Sequence, residues 1–168
     1  MPETPPSLHV SRPEETLPLD EMAMTRGWLQ HLRESAIFKV EGLDPAQLRW
    51  QPSPGANSLG VILVHLGLSE RLWLRAIGAG ERMDMAWRAR MFELPESWGV
   101  EEAVAFYRQE SSRADAVLAQ EPSLDAPSRG DLRPTTFRWA VFHLIEETAR
   151  HVGHMDITRE LLDGRVGR

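Results

Sequence analysis

From Asp20 onward the apolar residues Met24, Trp28, Leu32, Ile37 and Val40 return near one side of a helix, and the repeat stops at Gly42. Asp20 is placed to cap this helix, because its short carboxylate can accept backbone N–H groups that have no partner in the first turn. A second run opens after Ser58, with Val61, Ile62, Leu68 and Leu72 on its inward stripe, and ends near Gly78. Between the two, Asp44-Pro45 and the segment PSPG predict a short turn of helix at PAQL followed by a loop.

A third stripe, Val100, Val104, Tyr107, Ser111, Ala114 and Leu118, follows Ser97 and Gly99 and ends near Gln120. The longest helix is expected after Thr135 and runs to Asp163, where Gly164 supplies the left-handed residue that commonly ends a helix. Residues 79–96 hold no sustained period and read as a long crossover with room for one helical turn. Four amphipathic helices without a convincing strand bury their apolar faces most simply against one another. The expectation is an all-α four-helix bundle with the long crossover between helices two and three. Pro2, Pro5, Pro6, Pro13 and Pro18 remove backbone donors too often for regular structure, so residues 1–19 read as an extended arm and 20–168 as the bundle.

The chemistry lies where the apolar stripes are broken. On the longest helix Phe137, Ala140 and Leu144 precede Glu147 and His151, and Met155 or His154, Thr158 and Leu162 follow on the same side. Residues four apart lie one above the other on a helix, so Glu147 and His151 can reach one ion. The second helix is interrupted in the same way by His65, among Val61, Ile62, Leu68 and Leu72. A buried unpaired carboxylate costs several kcal/mol or takes up a proton, and a divalent cation removes that penalty. Two imidazoles and one carboxylate would leave a coordination position free, as catalytic zinc sites do. The spacing also fits a plainer arrangement, in which Glu147 pairs with Arg150 and the histidines are satisfied by hydrogen bonds.

Composition narrows the chemistry. The chain has 42% hydrophobic residues, enough for one continuous core, and no cysteine, so any metal must be held by histidine and carboxylate. A net charge of −6 opposes nucleic-acid binding, although Arg71, Arg75, Arg82, Arg88 and Arg90 could form a local basic patch. No signal-like segment and no apolar run long enough to span a bilayer occur, which predicts a cytoplasmic protein without membrane association. E-x-x-H and H-E-x-x-H are both absent, removing di-iron bundles and zinc proteases from consideration.

LVHLGLSERLW and FRWAVFHLIEETARHVGHMDITRELLDG, with the opening DEMAMTRGWLQHLRESAIFKVEGLDPAQLRWQPSP, resemble the DinB-like (DinB/YfiT) superfamily of metal-binding four-helix bundles, most of all its actinobacterial branch, over residues 20–166. The resemblance implies that a histidine of the second helix and two residues four apart on the last helix hold a divalent ion, here His65, Glu147 and His151. Many relatives carry histidine where this chain has Glu147, and the mycothiol-dependent maleylpyruvate isomerase type is similar to the present Glu and His version. Relatives use low-molecular-weight thiols such as mycothiol or bacillithiol. The resemblance therefore implies a metal-dependent thiol S-transferase or isomerase acting on a small electrophile. Nitrogen and oxygen ligands accept zinc, the first expectation, and also nickel, manganese or iron. The competing expectation is a non-catalytic, metal-stabilised bundle acting in stress response or partner binding.

Around this set, His154 is a candidate catalytic residue, as proton shuttle or as hydrogen-bond partner to the ligands. Trp73, two turns beyond His65, is a candidate pocket residue, His143 is expected to pack near the bundle end, and Glu70 and Arg71 read as a surface ion pair. His9 and His31 receive no role. The Pro-rich arm and the methionine-containing crossover suggest a homodimer.

Overall fold

The structure is a computed structural model and describes residues 20–82, 84–121 and 123–166, so the expected N-terminal arm lies outside the described residues. Among these the chain is helical: α1 (Glu21–Phe38), the short α2 (Pro45–Arg49), α3 (Leu59–Glu70), α4 (Val100–Gln120) and α5 (Phe137–Asp163). The caps follow the sequence chemistry. Asp20 accepts from Ala23 N–H at 2.7 Å, Asp44 from Gln47 N–H at 2.8 Å, and Ser58 from Val61 N–H at 3.3 Å. The last helix starts one residue later than expected, with Thr136 capping Trp139 N–H at 3.2 Å, and ends on Gly164 at φ 77°. No helix is long and apolar enough to cross a membrane among the described residues.

Helix directions explain the crossover. α1 and α5 run parallel, since Arg138 meets Glu21 at one end and Arg159 donates to the Lys39 carbonyl at 2.8 Å at the other. α3 and α4 are also parallel, because a Cβ on Gly67 would touch Phe106 and Arg71 pairs with Glu110. Parallel neighbours require a connection that returns along the bundle. Residues 79–82 and 84–99 make that return, with one 3-10 turn at Met85–Arg90.

Beyond Glu70 the helix widens into a π-helix over Arg71–Gly78, whose carbonyls at Ile77 and Gly78 accept from Gly130 and Arg129 N–H, both at 2.9 Å. Gly130 has no alternative, since a Cβ there would lie 2.1 Å from the Ala76 carbonyl oxygen.

One expectation is corrected at α1. The inward face is Thr25, Leu29, Arg33, Ala36 and Val40, while Met24 and Trp28 are 46% and 42% exposed. The face differs from the apolar stripe because Arg33 is a core residue, and a periodicity of apolar side chains cannot register a buried guanidinium.

The core has two apolar ends. Leu63, Leu66, Tyr107 and Met155 belong to one, and Leu29, Leu74, Leu118, Phe137 and Leu144 to the other. At about 1.5–3 kcal/mol for each fully buried large side chain, these ends supply the main driving force. Between them runs a polar layer: Arg33 on α1, His65, Ser69 and Glu70 on α3, Glu110 and Ser111 on α4, and Glu147, Thr148 and His151 on α5.

Candidate metal centre

Two helices build the centre. His65 lies in the middle of α3, where the neighbouring residues Leu63, Val64 and Leu66 are all buried. α5 carries Glu147 and His151 one turn apart on the face turned toward α3. His65 Nε2 stands 3.0 Å and His151 Nε2 3.2 Å from the same Glu147 Oε1, and the two rings are 4.6 Å apart. One ligand atom from each of the three residues lies within 4.8 Å of the others. Tetrahedral ligands at zinc distances of about 2.0–2.1 Å sit about 3.3 Å from each other, so the donor set fits one ion with little movement.

The surroundings are partly apolar and partly charged. Phe92, from the crossover, stacks on the His65 ring at 4.3 Å and 13°. Ser69 Oγ is 3.4 Å from His65 Nε2. The second carboxylate oxygen of Glu147 accepts from Arg150 Nη1 at 2.9 Å, so the ion pair expected in the plainer arrangement is present, but on the oxygen facing away from the histidines. Both remaining imidazole nitrogens, His65 Nδ1 and His151 Nδ1, are buried without a hydrogen-bond partner among the described residues.

Charge follows from this packing. Burial alone would raise the Glu147 carboxyl, but the His65 hydrogen bond and the charges of His151, His65 and Arg150 hold it below the ordinary carboxylate range. Desolvation, aided by His65, pulls His151 below 6.5, which favours the neutral imidazole that a metal requires.

The remaining sequence candidates fall in different places. His154 is exposed and meets the His151 ring edge-on at 5.5 Å. Both line a cavity of about 300 Å³ with Pro52, Ile62, Ile157 and Thr158. Trp73 does not join it but packs on Trp139 and His143, at 5.3 and 4.1 Å between ring centroids. The π-helix that begins at Arg71 alters the register by which Trp73 was placed. Glu70 and Arg71 are not a surface pair: Glu70 is fully buried against Arg33, and Arg71 reaches across to Glu110. Sequence reasoning missed Phe92 and Ser69. Ser69 stands four residues after His65, a spacing that could have drawn attention to it, whereas Phe92 lies in an aperiodic segment that gave no signal.

Comparison with known proteins places the chain in a family. No curated protein matches the chain. A crystal structure of a conserved protein from Enterococcus faecalis shares the fold, with a TM-score of 0.65 at 17% identity, covering 88% of this chain and 99% of that one. The family description "Mycothiol-S-transferase" matches residues 24–164, taking in the helices that carry His65, Glu147 and His151. The chain is therefore a DinB/YfiT-like protein and belongs to the mycothiol S-transferase family.

Proposed function

We propose that His65, Glu147 and His151 hold one divalent ion, and that the chain joins the sulfur of a mycothiol-type thiol to a small electrophile. The observation that carries this reading is the convergence of two imidazole nitrogens from different helices on a single oxygen of one carboxylate. The donor set accepts zinc first, and nickel, manganese or iron by the same chemistry. When bound, the ion lowers the pKa of a thiol so that thiolate forms at neutral pH. As the sulfur–carbon bond forms, the bond from that carbon to its leaving group breaks and the leaving group departs with the electron pair, while the thiol proton passes to solvent by way of His154 at the exposed mouth of the cavity. Glu147 holds the two histidines in register, Arg150 orients its outer oxygen, and Phe92 keeps water from one face of His65.

The test is elemental analysis of the purified protein beside His65→Ala, Glu147→Ala and His151→Ala, with Arg150→Ala and His9→Ala as controls. Near-stoichiometric metal is expected in the parent and both controls and should vanish from the other three, with thiol-dependent turnover lost in parallel. Absence of metal after supplementation would sink the proposal and leave the hydrogen-bonded polar arrangement. Metal binding without turnover of any thiol would favour the non-catalytic bundle.

A further inference from the structure

Ser69 is buried on α3 one turn after His65, and it uses its hydroxyl differently from other buried hydroxyls of the bundle. Thr25, Ser35, Thr148 and Thr158 each turn theirs back onto the carbonyl oxygen four residues earlier, at 2.6, 2.8, 2.7 and 2.9 Å. That local bond is a common way to satisfy a hydroxyl inside a helix. Among the described residues Ser69 makes no such bond, and its Oγ faces His65 Nε2 at 3.4 Å instead.

This contact is slack for a hydrogen bond, which ordinarily spans no more than about 3.2 Å. The same nitrogen has a closer partner in Glu147 Oε1, at 3.0 Å. A neutral ring nitrogen carries either a proton or a lone pair, so His65 Nε2 cannot donate to the carboxylate and accept from the hydroxyl together. Groups that flank one tetrahedral ion stand about 3.3 Å apart, and the 3.4 Å separation of Ser69 Oγ from His65 Nε2 matches that spacing. The hydroxyl thus borders the space in which the three donor atoms converge, with its proton uncommitted.

A sulfur anion brought to this space would find few other donors. Phe92 covers one face of His65, the flanking Leu63, Val64 and Leu66 are buried and apolar, and Arg150 is turned to the outer oxygen of Glu147. An anion taken out of water without hydrogen bonds is disfavoured against its protonated form, and a neutral O–H donor offsets that penalty without adding charge. We infer that Ser69 is the hydrogen-bond donor that receives the thiol sulfur at this centre, positioning it beside His65 and favouring its anionic form. The role rests on the S-transferase reading and adds to it a residue that holds the nucleophile rather than the ion.

The test uses the full chain loaded with cobalt(II) and titrated with 2-mercaptoethanol, whose sulfur-to-cobalt charge-transfer band reports thiol arrival. Ser69→Ala should keep the cobalt content and the thiol-free spectrum of wild type and bind the thiol about tenfold more weakly, as expected for one hydrogen bond to a charged group. Ser69→Cys, of nearly the same shape, should show the band before any thiol is added, because its own sulfur reaches the ion. Equal thiol affinity in wild type and Ser69→Ala, or no such band in Ser69→Cys, would overturn the inference and leave the proposed function standing. A changed thiol-free spectrum in Ser69→Ala would make Ser69 a ligand of the ion and overturn its role as donor. Failure of wild type to take up cobalt would overturn the inference together with the metal centre. Thiol binding that depends on Ser69 without turnover of any thiol would support the donor and reject the S-transferase reading.

Discussion

The polar layer through the middle of the bundle has two halves, one fully buried around Glu70 and Glu110 and one partly buried around Glu147, and they are built differently. In one half every carboxylate faces a guanidinium: Arg33 grips Glu70 at 2.6 and 2.8 Å and Asp115 at 2.7 Å, while Glu110 receives Arg71, Arg75 and Arg113. Complete burial pushes the Glu70 carboxyl up against the pull of Arg33, and the Arg33 guanidinium, which desolvation pulls down, is raised on balance by Glu70 and Asp115. Burial and the Glu70 charge also hold the neighbouring Tyr107 neutral, well above its usual range. In the other half one carboxylate oxygen is shared by two imidazoles, and both of their remaining nitrogens are buried without partners among the described residues. Burial of polar groups alone therefore does not mark a site. A network that closes its charges fixes the register of the helices, whereas the half whose donor atoms converge beside a cavity is the one proposed to hold an ion.

The largest effect should come from opening the closed half. Arg33→Ala leaves Glu70 buried without its fork, and the bundle should lose about 3–5 kcal/mol in urea denaturation while the variant that still folds retains its metal. An equal loss of metal would show that the halves are not independent.

Adding a divalent ion should stabilise the metal-free wild type by about 2.7 kcal/mol at one hundred times its Kd, read as a rise in Tm. Glu147→Ala and His151→Ala should show no such rise. A comparable shift in these variants would place the ion elsewhere.

Removing Arg150 should matter less. Its side chain is half exposed, so Arg150→Ala should change stability by about 0–1 kcal/mol and leave metal content intact. Loss of metal in this variant would make the outer ion pair part of the centre.

The smallest effect is a pH dependence in chelated protein. His151 titrates below 6.5 when folded, so as pH falls through 6.5 the unfolded chain takes up the proton first. Stability is lost from there down to the lower folded value, and above 6.5 the contribution is flat. Urea midpoints between pH 5 and 8 should show this slope in wild type and its absence in His151→Asn; identical slopes would remove His151 as its source.

The helices were legible because their caps and breakers are local: Asp20, Asp44, Ser58 and Gly164 act within a few residues of themselves. The pairing of Glu147 with His151 was legible for the same reason, since helical spacing brings them together without reference to the rest of the chain. The approach of His65 to Glu147 depends on how α3 and α5 pack, and a stripe interrupted by a histidine could only point toward it.

Sequence by itself therefore determined the helices, the absence of thiol ligands and the donor types available to a metal. Only the tertiary structure decided the phase of α1, the burial of Arg33 with Glu70, the displacement of Trp73 by the π-helix, and the seating of Phe92 on His65. The physical reason is range. Caps, turns and helical periodicity are set by neighbours along the chain, whereas the partner of a buried charge or the face covered by a crossover is set by residues far apart in sequence that meet only when the bundle closes.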